Sequence, residues 1–324
     1  MKARTLFLVF CLLVVFGKPI FGVDYKAPTA EQVSAIQAAM PEKAPVAVKQ
    51  PRKLLVMYRC DGFVHSSVLI ANKMLEIMGK KTGAFEVTCT DDLNAFLPEN
   101  LAKYDGIVLN NTTRLKLDDE RWRKGLIDFV KNGKGLIGIH AATDNFYDWP
   151  EGAEMLGGLF HGHPWRSDGT WTFQIDDPTH PLCKPFTQSK FSLSDEIYYI
   201  IMPYSRAEMR VLVSLDLEDP VNQTPKEFGP SILDAPVSWV KDYGKGRVFY
   251  CSLGHNFEVF ANRMVLEHYL AGIQFALGDL PAETKSLYVD WESFEKNLAV
   301  FATYEYGQSP RPFNVIELSV RNGS

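Results

Sequence analysis

The chain has 324 residues, 46% of them hydrophobic and 12% aromatic, with a formal net charge of -5. That length suits one large domain with appendages, and the supply of apolar side chains is enough for a sizeable core. The acidic balance, with no dense run of Lys or Arg, excludes a nucleic-acid partner.

Lys2 and Arg4 precede an apolar run at 6–16, and Gly22 offers a small residue for cleavage. Residues 1–22 therefore read as a signal peptide, too short for a comfortable membrane span. Export to the periplasm or the extracellular space is expected, with no integral membrane span after cleavage. Residues 23–51 are rich in Ala, Pro, Lys and Gln and read as a linker, with a short helix at 30–40.

The folded region, 52–280, opens with a strand at 54–58 and the polar turn Arg59-Cys60-Asp61-Gly62. A helix follows from His65 or Ser66, with Val68, Ala71, Leu75 and Met78 at helical spacing and Gly79 as its stop. Strands at 85–89 and 107–109 come next, the latter running into Asn110 and Asn111. Residues 118–131 form the clearest helix, acidic at its start, where the helix dipole favours negative charge. A strand at 136–139 then meets His140 and a polar turn to Asp144. Strands alternating with helices imply a parallel sheet covered on both faces. Ligands of such sheets sit at the carboxyl ends of the strands, where Asp61, Asn111 and His140 fall.

After Trp149 the pattern changes. Residues 151–156 suit a helix, 157–165 a loop, and 170–175, 191–199 and 211–215 strands, with a long polar loop at 216–235. Segments 236–241 and 247–252 pair as a hairpin around Gly244 and Gly246. A last helix spans 258–277, burying Phe260, Met264, Tyr269 and Ile273. Alternating segments at 286–290 and 315–320 have no evident place, and 281–324 reads as an extension. Cys60, Cys89, Cys183 and Cys251 are scattered; buried free thiols are the default, with a Cys60–Cys251 bridge as the alternative.

Several fragments together resemble the trehalose-utilisation (ThuA-like) family. They are Gly62-Phe63-Val64-His65, the runs 133–144 and 157–164, Asp195-Glu196-Ile197-Tyr198, and the segments 243–248 and 253–255, in the family's order. The resemblance implies the fold of class I glutamine amidotransferases: α/β, a flavodoxin-like three-layer sandwich with a mostly parallel central sheet, here with an added β-hairpin. Those enzymes carry a nucleophilic cysteine on the turn after the strand matching 136–139. This chain has His140 there, so cysteine-dependent glutamine hydrolysis is excluded. No G-x-S-x-G elbow supports a serine instead.

What remains is a set of histidines and carboxylates. His65, His140, His163, Glu196 and His255 are the candidate catalytic groups. Asp195 and Glu196 are adjacent, so on a strand they face opposite ways, and Glu196 is taken as the one entering the site. Asp61, Asn111, Asp144, Trp165, Asp195 and Tyr198 are the candidates for contacts to substrate. His65 could instead cap its helix, His161 order a loop, His180 serve its turn, and His268 be structural within a helix.

Two chemistries fit. His65, His140, His163 and His255 could ligate a divalent ion such as Zn²⁺, or the imidazoles could work without metal as acid and base. The resemblance implies a carbohydrate substrate, a 3-keto sugar or glycoside among them. No spaced Asp/Glu pair suggests an ordinary glycosidase. The alternative from another class is a non-catalytic carbohydrate-binding or structural module, with Trp149, Trp165 and Tyr198 as a platform. A small-molecule carbohydrate is thus the expected partner, and a homo-oligomer is compatible with the chain.

Overall fold

The computed structural model describes residues 23–223, 232 and 234–287. The expected signal peptide, the segment at 315–320 and most of the C-terminal extension lie outside the described residues, as does part of the loop at 216–235.

Helix α1 (Ala30–Ala39) precedes the sheet. Then come β1 (Lys53–Met57), α2 (Val68–Thr82), β2 (Glu86–Thr90), α3 (Pro98–Leu101), β3 (Gly106–Asn110), α4 (Glu120–Lys131), β4 (Gly135–Ile139) and α5 (Pro150–Leu156). The second half holds β5 (Leu159–Trp165), β6 (Thr170–Ile175), β7 (Lys190–Ser194), β8 (Ile197–Ile201), β9 (Arg210–Leu215), β10 (Pro236–Tyr243), β11 (Gly246–Cys251), α6 (Phe257–Phe260) and α7 (Arg263–Ala276).

Nine strands form one sheet in the order β2-β1-β3-β4-β11-β10-β9-β6-β7. The first five run parallel. The hairpin expected at its edge is the start of a longer antiparallel extension, β11 through β7. Side-chain alternation divides the core into two layers. Leu54, Val56, Val108, Ile137 and Phe249 face α1, α2 and α7, where Ile36, Met74 and Tyr269 meet them. Leu55, Met57, Ile107, Leu136 and Val248 face α4 and α5. Strands buried on both faces explain why the first half reads as unbroken apolar runs rather than alternating ones.

Five expectations change. Residues 23–51 are not a tether but a strap along the domain. Ile36 and Met40 are wholly buried against α2. The Val46 backbone exchanges two hydrogen bonds with the Gln274 amide, at 3.1 and 2.8 Å, and Arg52 pairs with Asp279 at 2.6 Å. Composition misled because two apolar residues at i, i+4 spacing suffice to dock one helical stripe. Helix α2 does not stop at Gly79; it runs on to Gly83, whose φ of +66° makes the left-handed cap. Gly79 instead lets α2 approach the chain, since a Cβ there would lie 2.3 Å from the Phe85 carbonyl oxygen. The loop expected at 157–165 is β5, paired antiparallel to β8 in a separate two-stranded sheet with irregular register. The strand expected at 191–199 breaks at Asp195-Glu196, so that β7 and β8 belong to different sheets. The last helix is likewise interrupted, and Asn262 caps α7 by accepting from the Met264 N–H. The four cysteines after residue 22 are free.

Candidate functional site

Three histidines and one glutamate arrive by four routes. His65 lies in the turn between β1 and α2. His140 is the first residue beyond β4 and stands at φ +45° on a tight turn, which aims its ring off the strand end. His255 follows β11, and Glu196 sits at the break between β7 and β8. The non-glycine residues with positive φ among those described are Asn111, Arg114, His140 and Phe146, all in the segments leaving β3 and β4. Strain of that kind costs about 1–3 kcal/mol per residue and concentrates at functional sites.

The three imidazoles form a triangle, with ring centroids 4.9 Å apart for His65–His140, 5.2 Å for His65–His255 and 5.4 Å for His140–His255. Glu196 closes it: Oε1 lies 3.7 Å from His140 Nε2 and 3.2 Å from His255 Nδ1. One donor atom from each of His65, His140, Glu196 and His255 falls within 4.8 Å of the other three. Donors bound to one Zn²⁺ at ~2.0–2.1 Å lie about 3.3–4.2 Å from each other, so the set is within roughly 1 Å of closing on an ion. His163 is outside this group. It stands on β5, half exposed, with Nδ1 3.5 Å from Glu196 Oε2. The four-donor set therefore has Glu196 where the sequence suggested His163.

Partners behind the rings fix their state. His140 Nδ1 donates to the Ser252 carbonyl at 2.7 Å, leaving Nε2 with a bare lone pair and no partner. His65 Nδ1 is also buried without a partner, and His255 Nδ1 approaches Glu196 at an angle short of a hydrogen bond. Seven buried side-chain polar atoms lack partners among the described residues. Five of them belong to His65, Asn111, His140, Ser252 and His255, all at strand ends on this rim. Each such atom costs about 1–3 kcal/mol if nothing binds it, so their concentration here argues for a ligand. Burial, and then the neighbouring His255, push the His65 pKa down to about 4. Burial also holds His140 well below the usual range. Burial pushes the Glu196 carboxyl up, but the histidines outweigh it and the net shift is downward. Burial lowers His255, yet its contact with Glu196 and the charges of Glu196 and Asp195 raise it overall. The neutral imidazoles of His65 and His140 beside the Glu196 carboxylate are donor types that divalent ions of the Zn²⁺ class take, and His255 joins them on giving up its proton.

Asp195, expected to contact substrate, has its carboxylate taken up by the protein's own backbone. It is wholly buried, and its carboxylate accepts from three successive backbone N–H groups, Gly254 at 2.6 Å, His255 at 3.1 Å and Asn256 at 2.7 Å. Burial pushes its pKa up to about 7 against those hydrogen bonds. Its partners can only donate, so they favour the ionised form. Asp195 thus fixes the His255 turn while its neighbour Glu196 reaches the triangle. Trp165 is likewise removed from the site: it is 1% exposed in the core, its Nε1 donating to the Asn222 carbonyl. Trp149 and Tyr198 are also buried, so the three aromatics make no exposed platform. Tyr198 nonetheless belongs to the centre. Its hydroxyl is 3.3 Å from His65 Nε2 and its ring packs 4.4 Å from that of His140. Asn111 is buried on the same rim, its amide donating to Asn110. Asp61 pairs with Arg59 at 2.8 Å, and Asp144 with Arg114 at 2.9 Å. His180 caps the turn at 181–183, and His268 is buried between Leu182 and Ser238.

Residue-by-residue reading of the sequence missed Phe160, stacked toward His163, and Arg114 over the Tyr147 ring. It also missed Tyr250, whose hydroxyl donates to the His140 carbonyl at 2.7 Å. Tyr250 is two residues before the notable Ser252, but nothing in spacing alone marks it.

A family model described as trehalose utilisation, ThuA, matches residues 53–276. No curated protein matches the chain. Among solved structures, a ThuA-like protein from Bacteroides uniformis is similar at 22% identity and a TM-score of 0.58, over 71% of this chain and 93% of that one. Another from Parabacteroides merdae is similar at 18% identity and a TM-score of 0.53, over 72% and 93%. Likeness at that identity supports the fold, and the match of the family model over most of the length supports more: the chain belongs to the ThuA-like, trehalose-utilisation family.

Proposed function

We propose that this protein is an exported carbohydrate-processing enzyme that acts on a 3-keto sugar or glycoside with a divalent ion held by His65, His140, Glu196 and His255. The observation that carries the reading is the convergence of three imidazoles and one carboxylate, with ring nitrogens lacking partners, at the carboxyl ends of β1, β4 and β11. An ion bound there would supply a Lewis acid for a carbonyl oxygen. His163 is the base. Its Nδ1 faces Glu196 at 3.5 Å, which leaves Nε2 free for substrate, and its half-exposed ring can exchange protons with water. The hydrogen beside a ketone is acidic, and His163 Nε2 takes it. The electron pair left behind is held at the ketone oxygen and then forms a carbon–carbon double bond as the glycosidic C–O bond breaks, and the leaving oxygen takes its proton from the His163 imidazolium, giving an unsaturated keto sugar and the released monosaccharide. Tyr198, whose pKa burial raises well above the usual value, stays a neutral phenol and can donate to that region.

The test is incubation of metal-loaded protein with 3-keto and unmodified disaccharides, following release of the monosaccharide. Selective cleavage of the 3-keto compound, lost in His140→Ala, is the expected result. Equal inertness toward both refutes the enzymatic reading.

A further inference from the structure

His163 stands on a strand whose pairing does not fix it. β5 meets β8 at Phe160, at Gly162 and again at Trp165, with a register shift in each interval, so His163 falls in the second irregular stretch. The two-stranded sheet is also separate from the main one. Backbone pairing alone therefore leaves the position of the ring open, and a contact at Phe160 closes it. The Tyr147 hydroxyl lies 2.9 Å from the Phe160 carbonyl oxygen and 2.7 Å from Asp144 Oδ1, and shares its one proton between these two acceptors. Phe160 leads from there to the centre. Its ring packs 4.2 Å from that of Tyr198 and stacks toward His163 at 6.1 Å with the planes 13° apart.

The base from which Tyr147 reaches β5 is fixed. Asn145 is wholly buried and ties together the segments leaving β3 and β4. Its Oδ1 accepts from the Leu115 N–H at 2.8 Å, and its amide donates to the Thr112 and Ala142 carbonyls at 2.8 and 3.0 Å. The Arg114 N–H donates to the Asp144 carbonyl at 2.7 Å. The Arg114 side chain then clamps both partners of the hydroxyl bond: Nε is 2.9 Å from Asp144 Oδ1, and the guanidinium carbon sits 4.2 Å over the Tyr147 ring. Tyr147 itself is 40% exposed, so core packing does not account for its place, whereas its hydroxyl contacts do. Burial, and then the hydrogen bond to Asp144, push its pKa up, so the hydroxyl keeps its proton. We propose that Tyr147 is a positioning residue, whose hydroxyl pins β5 at Phe160 and so holds His163 beside Glu196 and the donor group. This rests on His163 as the base in the reading above, and it names the residue that places that base.

The experiment is hydrogen–deuterium exchange of the full chain, comparing the wild type with Tyr147→Phe and Arg114→Gln. Metal content and turnover of a 3-keto disaccharide are measured on the same proteins. Tyr147→Phe keeps the ring under Arg114 and removes only the hydroxyl. Expected in that variant are exchange faster by about five- to tenfold in peptides covering 159–165, wild-type exchange at 53–57 and 135–139, and unchanged metal content. Its kcat should fall by roughly tenfold with KM kept, as for a displaced base. Arg114→Gln, which loosens the clamp but leaves the hydroxyl, should raise exchange at 159–165 by a smaller factor. Wild-type exchange at 159–165 in Tyr147→Phe overturns the proposal. So does faster exchange spread evenly over the domain, which would make Tyr147 a general structural residue. Faster local exchange with unchanged kcat overturns the positioning role. A wild type inert toward every sugar refutes the carbohydrate reading instead, and exchange, which needs no substrate, still decides whether Tyr147 pins β5.

Discussion

Asp195→Ala removes the one carboxylate that holds the turn carrying His255. Three backbone N–H groups, those of Gly254, His255 and Asn256, lose their acceptor inside the protein. At about 1–3 kcal/mol for each unsatisfied buried donor the gross loss is roughly 3–9 kcal/mol. Part of it is offset, because the substitution also relieves the burial of a charge that pushes the Asp195 pKa up to about 7. Relief of that burial and relaxation of the turn bring the net destabilisation down to about 2–4 kcal/mol, the range for losing one partner of a buried hydrogen-bonded network. In a domain of this size that lowers Tm by roughly 5–15 °C. The freed turn also lets His255 leave the donor set, so divalent-ion affinity falls by about 10–100-fold, as for loss of a group that orients a ligand. Urea unfolding followed by tryptophan fluorescence measures the first effect, and ion titration the second. Asp195→Asn, which keeps one acceptor oxygen, should fall between. A midpoint within error of the wild type, together with unchanged ion affinity, would refute the role assigned to Asp195.

Other outcomes follow from the same contacts. His163→Ala should lower turnover by about 10²–10⁴-fold while metal content stays at the wild-type value, because His163 is outside the donor set. Ile36→Ala should cost about 2–5 kcal/mol in urea unfolding, since that side chain is wholly buried against α2; a change under 0.5 kcal/mol would mean that the strap contributes nothing. Burial pushes the His268 pKa down to about 4 in the folded chain. Its unfolded value is about 6.5, so between those values the unfolded state binds more protons and stability falls as pH falls, by at most about 3 kcal/mol. His268→Gln should flatten that slope between pH 6.5 and pH 4, which unfolding midpoints across the window would register.

The parallel half of the fold was legible because its strands are buried on both faces. Runs such as Leu54 to Met57 and Leu136 to Ile139 have no other use in a βα alternation. Legible too was the meeting of His65, His140 and His255 at one rim, since the segments that leave parallel strands fall there, whereas His163 stands outside the four-donor group. The strand β5 was not, because Gly162 and Pro164 spell a loop, and only pairing with β8 makes the segment extended. Nor was the division of labour between Asp195 and Glu196 fully so. Alternation shows that they face apart, but only the fold shows that one is answered by the 254–256 backbone and the other by imidazoles. Trp165 misled for a related reason. An aromatic beside a histidine-bearing segment suits a sugar site as well as a core, and here the core claims it.

The most direct measurement is the metal content of the purified full-length protein after equilibrium dialysis against Zn²⁺, read by mass spectrometry beside a His65→Ala/His140→Ala double variant. The account predicts one tightly held ion per chain in the wild type and almost none in the variant, with unfolding midpoints showing that the variant is folded. Equal retention by both proteins, or no retained ion in the wild type, would contradict it.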